Sequence, residues 1–396
     1  NNADAIAQGV DATYVMPFYE GDLKLGAYLH HSRNNSTITN PNNGMFFVDN
    51  FTNVEKDTAS VYAEWQRDKA SFSTTIGTRY TRVDMDAGLA GSNMVMMNPA
   101  IASLVDDFNA AERSKSYNML DIAASTRYHA SDNVDVVLGV SQKNRAPTYF
   151  ERYTWLPLGI SGGMADGFNY IGNLALDNET ARQIDVGIDY RFKSWSVSPR
   201  LFYQDIEDYI TGSPSTNMAA NMVSTMMAGT TSFQWTNTDA VIKGADLTVS
   251  GNVFDNVRLN AVASVQHGNR DDIDDALFRI APEQLITTIQ WDTQLLNAPM
   301  ALQLTSELAG AQNHVSALQN ETTTAGYGLV HITGLFTLID NARSNLQVTA
   351  TVHNLFDKHY APHTAGINRV RNTDVAVGER VPAAGREWHL SLSYRF

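Results

Sequence analysis

Connections that alternate between very short and very long constrain this chain more than any other feature of its sequence. Segments with a two-residue apolar/polar period recur from end to end. In one, Leu346, Val348, Ala350 and Val352 alternate with Gln347, Thr349, Thr351 and His353. In a second, Val257, Leu259, Ala261, Ala263 and Val265 alternate with Arg258, Asn260, Ser264 and Gln266; a third sets Ile184, Val186, Ile188, Tyr190 and Phe192 against Asp185, Asp189 and Arg191. This is the period of a strand with one apolar face. Similar segments at 9–18, 22–31, 58–67, 70–83, 117–130, 134–143, 195–206, 240–251, 283–293, 299–309, 328–339 and 386–396 bring the expected total to about fifteen strands. Tight turns at Glu20-Gly21, Asp68-Lys69, Ser131-Asp132-Asn133, Phe254-Asp255-Asn256 and Asn341-Ala342-Arg343 take turns with long segments at 32–57, 84–116, 145–179, 207–239, 267–282, 311–327 and 357–385. One rim of the sheet therefore carries turns and the other loops, the plan of an all-β antiparallel transmembrane β-barrel. A soluble sandwich rarely places so many long, ordered loops on one side.

Composition agrees with that plan. No run of ~18 apolar residues could cross a bilayer as a helix. The mean hydropathy of −0.25 reflects alternation, because lumen residues dilute lipid-facing ones. No composition shift or linker divides the 396 residues, so a single architecture is expected over 1–396. Cysteine is absent, which excludes disulfides and thiolate metal sites and leaves His, Met and carboxylates as possible ligands. A net charge of −14 excludes nucleic acid as a partner and is compatible with attracting cations.

The last strand sets Trp388, Leu390, Leu392, Tyr394 and Phe396 against His389, Ser391, Ser393 and Arg395. A fully apolar face ending on an aromatic residue resembles the signal read by the barrel assembly machinery, which becomes an expected partner together with outer-membrane lipid. Single-chain bacterial barrels have even strand numbers. An odd count therefore implies missing strands, about seven if the intact barrel has the ~22 of plugged outer-membrane transporters. The other reading is a complete pore of about 14 or 16 strands.

At 353–360 the chain reads His-Asn-Leu-Phe-Asp-Lys-His-Tyr, directly after an alternating strand and before one more loop and the terminal strand. This resembles the penultimate-strand motif of TonB-dependent receptors. Two further segments resemble the same family: Lys143-Asn144-Arg145-Ala146-Pro147 with Glu151, and Asn173 to Glu179 leading into Asp185-Val186-Gly187. Arg279-Ile280-Ala281-Pro282-Glu283 is a third. The resemblance implies a carboxy-terminal barrel part whose plug domain and first strands are absent, in the outer membrane of a Gram-negative bacterium. It also implies energy-coupled import driven by a TonB-type inner-membrane motor acting through that plug.

Within the family, Trp155-Leu156-Pro157-Leu158, Gly162-Gly163-Met164-Ala165-Asp166-Gly167, Tyr170-Ile171-Gly172-Asn173, Ala361-Pro362-His363 and Val381-Pro382 to Gly385-Arg386 are similar to the copper-type receptors. This implies copper as the transported ligand, with no resident cofactor. That subgroup's His-x-Met element has no counterpart here, so its ligands are not carried over.

Methionine usage points the same way. Ten of the thirteen Met residues fall in expected outer loops or at their mouths: Met45, Met85, Met94, Met96, Met97, Met164, Met218, Met222, Met226 and Met227. Thioethers are soft ligands that suit copper(I), and the spacing of Met218, Met222 and Met226 aligns them on one helical face. The candidate metal ligands are Met94, Met96, Met97, Met218, Met222, Met226 and Met227. Met also fills apolar gaps, so each could instead pack a loop over the barrel mouth. The loops 84–116 and 207–239 hold only Arg113 and Lys115 as basic residues, which favours a cation over an anionic chelate. A ferric-siderophore receptor and a general porin or adhesin are the alternatives.

His30, His31, His314, His359 and His363 are expected as rim residues, without a recognised ligand spacing. The acidic run Asp271, Asp272, Asp274 and Asp275 could hold calcium but reads better as a solvated loop. No nucleophile elbow, phosphate loop or zinc-protease motif occurs, so no enzyme activity is expected.

Overall fold

The computed structural model describes residues 2–159, 166–295, 298–341, 344–370 and 372–396. Its strands in chain order are β1 (Asn2–Phe18), β2 (Gly21–Asn40), β3 (Asn43–Asp68), β4 (Phe72–Asp86), β5 (Gly91–Ser92), β6 (Lys115–Ser131), β7 (Val134–Arg145), β8 (Tyr170–Ile171), β9 (Glu179–Phe192), β10 (Trp195–Pro214), β11 (Phe233–Phe254), β12 (Val257–Arg270), β13 (Gln284–Leu295), β14 (Ala298–Ala309), β15 (Tyr327–Asp340), β16 (Asn345–His353) and β17 (Glu387–Arg395). The two-residue β5 and β8 lie in loops and attach to β3 and β11. The other fifteen form an antiparallel meander in which each long strand pairs with the next. Among the described residues β1 pairs only with β2 and β17 only with β16, so the sheet is not closed and has two open edges.

Register makes the strands agree on one apolar face. Trp65 lies opposite Ile76, Ile76 opposite Ala124, Ala124 opposite Val140, Val140 opposite Ile184 and Ile184 opposite Tyr203. A one-residue slip anywhere would turn a strand's apolar set inward. The other parity is polar. Thr288 and Thr305 hydroxyls meet at 3.0 Å, Thr333 and Thr351 at 3.1 Å, and Gln303 donates to Gln290 at 2.9 Å. Ile76, Val140, Ile184, Leu201, Leu304, Leu390 and Leu392 are all exposed large apolar side chains. Such an inside-out sheet is stable only where lipid covers its apolar face. No helix among the described residues is long and apolar enough to cross a membrane.

The turn rim is tight and ionic. Tyr19 and Glu20 both have positive φ, 44° and 60°, the backbone of a two-residue hairpin turn. The expected Glu20-Gly21 turn is thus displaced by one residue. Gly21 serves another purpose, since a Cβ there would lie 2.2 Å from the Gln66 carbonyl oxygen on the neighbouring strand. Further along the same rim, on the lumen side, Asp135 accepts from Arg127 at 3.1 Å, Arg191 at 2.9 Å and His129 at 2.8 Å, while Asp189 takes Arg200 at 2.5 Å and also Arg127. Of the expected Asn341-Ala342-Arg343 turn, residues 342–343 lie outside the described residues.

The loop rim differs more from expectation. Segment 32–57 is not a loop: β2 and β3 continue as a hairpin until Asn40 meets Asn43. Segment 207–239 likewise begins and ends as strand. Beyond the bilayer neither face meets lipid, so polar stretches such as 32–37 stand beside apolar residues that pack under the loops, and the regular apolar period that betrays a strand is lost. The buried apolar core of the chain lies here too. One cluster packs Val48, Ala100, Ile101, Leu104, Trp155, Leu156, Ile171, Ala220 and Val223; a second joins Phe51, Val54, Met85, Tyr117 and Tyr153; a third joins Tyr170, Leu176, Ile210, Phe233 and Trp235.

Val348 lies opposite Leu392, and Leu390 opposite Ala350, on the apolar face. Arginine at either position is expected to destabilise the inserted barrel by roughly 2–4 kcal/mol. Denaturant titration in lipid vesicles measures this, and variants as stable as the parent would reverse the assignment of faces.

Candidate functional site

The loops fold into a cap because their helices are capped and amphipathic. A 3-10 turn, Asn93–Met96, starts on Ser92, whose hydroxyl accepts the Met94 N–H at 3.1 Å. Helix α1 (Pro99–Ala110) starts with Pro99 after Asn98, whose side chain accepts the Ala100 N–H at 3.0 Å. Helix α2 (Tyr149–Tyr153) has a capping box between Thr148 and Glu151. Helix α3 (Met218–Ala228) runs from an Asn217 cap to Gly229, which ends it at φ 77°. Helices α1 and α3 bury Ala100, Ile101, Leu104, Ala220 and Val223 in the same cluster, against Trp155. The Trp155 indole donates to the Asp49 carbonyl at 2.8 Å and ties the cap to the tall hairpin.

Methionines occupy what that burial leaves outside. Met96 is 91% exposed, Met97 75%, Met218 80%, Met222 65%, Met226 61% and Met227 48%. A gap-filling thioether is usually buried, and these six are exposed. Met94 packs against the first core cluster, and Met85 is fully buried. The two Met-bearing segments are neighbours: the Asn98 side chain reaches the Met226 sulfur at 3.7 Å. Met164 lies outside the described residues. Both cations within the segments 84–116 and 207–239 are tied down. Arg113 donates to the carbonyls of Ala87, Asn109 and Ala111, and Lys115 pairs with Asp177 at 2.8 Å.

Five loops, Met227's among them, enclose a cavity of about 570 Å³, whose wall includes Asp166, Asn169, Gln319, Glu321, Arg369 and Arg380. Burial raises the Asp166 carboxyl above its ordinary value, against hydrogen bonds from Tyr170, the Phe168 N–H and Gln319. Arg369 donates to Asn169. From the wall, Glu321 reaches the buried His363 at 2.9 Å, both side chains being 1% exposed, and the Thr324 hydroxyl lies 3.0 Å from the other ring nitrogen. His363, expected at the rim, is therefore an interior residue. Burial alone would raise the Glu321 carboxyl, but hydrogen bonds from His363 and from the Ser316 and Arg279 N–H groups outweigh it and hold it below the ordinary value. Asp166 lies in a motif segment, but nothing in the sequence joins it to Asn169, Gln319, Glu321, Arg369 and Arg380, because they converge from loops far apart in the chain.

The motif residues are structural. Arg145 clamps Glu179 at 2.6 Å and Glu151 at 2.9 Å, closing the rim between β7 and β9. Asn354 bonds the Lys358 N–H and carbonyl, each at 2.8 Å, and Asp357 accepts the Arg386 N–H at 2.8 Å. The acidic run is used within the loops: Asp272 pairs with Arg270 at 2.7 Å, and Asp275 accepts from the Ser316 hydroxyl at 2.6 Å and the Ala317 N–H at 2.7 Å. Among the described residues no three His, Asp or Glu side chains converge to hold a metal ion.

A long-stranded antiparallel sheet, apolar outside and polar within, with turns on one rim and a folded cap on the other, is the wall of a transmembrane β-barrel. The chain belongs to the TonB-dependent receptor family: residues 5–355 match the family described as TonB dependent receptor-like, beta-barrel. It superposes on a solved structure named copper transporter OprC with a TM-score of 0.77 at 17% identity, covering 99% of this chain and 57% of that one. For the FrpB iron transporter from Neisseria meningitidis the values are 0.67, 14%, 99% and 55%. For the ferric yersiniabactin uptake receptor FyuA from Yersinia pestis they are 0.63, 14%, 99% and 54%. The chain thus spans little more than half the length of these transporters and receptors, and at such identities the likeness is one of fold. No curated protein matches the sequence.

Replacing Glu321 by Gln removes the charge that His363 pairs with. Weakening this buried clasp is expected to cost about 1–3 kcal/mol of local stability, read as faster hydrogen exchange in 354–386. Because the folded carboxyl is below its ordinary value of about 4.3, the protection is complete above that pH and lost as pH falls through the lower folded value. Wild-type exchange without this acid-side loss, or identical in the variant, would show that the pair does not hold the loops.

Proposed function

We propose that this chain is the carboxy-terminal part of the barrel, with its outer loops, of a TonB-dependent receptor that imports copper across the outer membrane of a Gram-negative bacterium. The observation that carries the cargo is the exposed thioether surface. Six Met side chains on two adjoining loop segments are exposed, and the two cations within those segments are engaged, Arg113 by backbone carbonyls and Lys115 by Asp177. Soft sulfur donors prefer copper(I) to iron(III). The superposition on a copper transporter supports the same cargo. The two open sheet edges support completion by further strands, since an unpaired edge is not tolerated in hydrocarbon. Energy for import would come from the TonB-type motor through a plug domain.

Uptake of an iron chelate is the second reading. It is favoured by the cavity of about 570 Å³ with Arg369 and Arg380 on its wall, a size and charge suited to a small anionic chelate.

Cells carrying the full-length receptor are expected to lose most copper uptake when Met94, Met96, Met97, Met218, Met222, Met226 and Met227 are changed to Leu, which keeps apolar volume and removes sulfur. Unchanged copper uptake would return these residues to a packing role. Uptake of a ferric siderophore without copper would replace the first reading by the second. Produced without a plug, the chain is expected to show no import that depends on the proton-motive force in reconstituted vesicles; such import would refute the coupling.

A further inference from the structure

The lipid face of β10–β14 has a cleft where the sheet parts. β12 pairs with β13 only as far as Ser264 opposite Gln284, and above that point it continues with β11 alone to Arg270. At this notch lies a cleft of about 610 Å³. The short side chains of Ala245 and Ala263 leave its floor open, and Leu201, Leu247, Leu285 and Leu308 stand around them. Register puts all six on the lipid side: Leu201 lies opposite Ala245, Leu247 opposite Ala263, Ala263 opposite Leu285 and Leu285 opposite Leu308. These strands lie inside the meander, each paired on both sides, so the cleft is not made by an open edge.

A polar row stands directly above it. Tyr203 lies opposite Lys243 and Lys243 opposite His267, one outward step beyond Leu201, Ala245 and Val265. Opposite residues have Cβ atoms about 4.5–5.5 Å apart, so the three side chains adjoin. Below Lys243 the outward residues of β11 are Ala245, Leu247, Val249 and Gly251, none of them polar; beyond it the next outward positions on β10 and β12 are Asp205 and Asn269. Lys243 therefore stands where hydrocarbon gives way to headgroups, with its methylene stem against apolar residues and its ammonium in the polar layer. Nearby carboxylates are placed elsewhere. Asp205 lies opposite Arg182, which also pairs with Glu207, and Glu283 is at the β13 side of the cleft. Lys243, exposed, has no ion pair among the described residues. Beside it, His267 meets the His314 ring edge-on with centres 6.0 Å apart, and the His314 Nε2 lies 2.5 Å from the Asn269 Oδ1.

We propose that this cleft and the row above it bind a phosphate-bearing lipid of the loop-side leaflet, with one acyl chain over Ala245 and Ala263 and the headgroup phosphate on Lys243 and His267. A wall facing bulk lipid requires neither a hollow nor an unpaired ammonium, and here the two coincide in the order in which a lipid's own chemistry changes from chain to phosphate. Tyr203 completes the site, since a phenol sits well at headgroup level. The inference rests on the sheet spanning a membrane and not on copper being the cargo.

The full-length receptor, purified in detergent, is offered phosphatidylglycerol and phosphatidylcholine with the same acyl chains, and retained lipids are counted by native mass spectrometry. Phosphatidylglycerol should be kept in preference. Lys243→Gln should lower its retention roughly fivefold. Ala245→Leu, which fills the cleft with a side chain suited to a lipid face, should abolish the preference, and Lys193→Gln at a turn should bind as the parent does. Equal retention of both lipids by the parent would leave only ordinary lipid contact and overturn the proposal. Parental retention in Lys243→Gln and Ala245→Leu would also overturn it, as would displacement of the lipid by inorganic phosphate, which would mark a plain anion site. The unmodified receptor gives a check independent of any variant's folding. Phosphatidylglycerol with a photoactivatable diazirine in its chain, in phosphatidylcholine vesicles, should cross-link to the peptides holding Ala245 and Ala263. Labelling as strong around Val140 and Ile184 would count against the site.

Discussion

Backbone hydrogen bonding in a medium without water is the constraint from which the rest of this structure follows. A peptide group in hydrocarbon has no solvent partner, so each strand must find its ladder in a neighbour. Short turns keep successive strands adjacent, and the antiparallel meander is the simplest pairing they allow. Once pairing is fixed, the two-residue period sends one parity to lipid and the other to the lumen for every strand together. The row from Trp65 through Ile76, Ala124, Val140 and Ile184 to Tyr203 is that coupling made visible.

Hydrophobic burial is thereby displaced from its usual place. The sheet holds its apolar side chains on the outside and gains their transfer energy from lipid, leaving the interior to hydroxyls, amides and ion pairs. Burial of the soluble-protein kind is confined to the cap, where α1, α3, Trp155 and the β2–β3 hairpin share one cluster. The loops are consequently a folded unit seated on a membrane wall. Exposed methionines on such a unit stand out, because its interior already has the apolar residues it requires.

Polar contacts divide between the two rims by purpose. At the turn rim, Arg127, Arg191 and Arg200 neutralise Asp135 and Asp189 and lock four strands in register. At the loop rim, Arg145 with Glu151 and Glu179, and His363 with Glu321, hold loops to one another. The motif residues Arg145 and Asn354 make such contacts, which close the loop rim.

The sequence by itself determined the fold class, the order of the long strands, the identity of the lipid face and the alternation of turns with loops. Those properties are local, since a two-residue period and a turn are each written in a few adjacent residues. Helix periodicity, legible in the sequence, also sets the exposed Met218, Met222 and Met226 apart from the buried Ala220 and Val223. It does not tell the packed Met94 from the exposed Met96, since a 3-10 turn has no period long enough to mark its inner face. Tertiary structure alone decided that 32–57 is a hairpin, that His363 is buried against Glu321, and that Asp166, Gln319, Arg369 and Arg380 surround one cavity. Each of those facts depends on register or on loops meeting across the barrel mouth. Such contacts join residues tens to hundreds of positions apart, and no local pattern in the chain encodes which of them will meet.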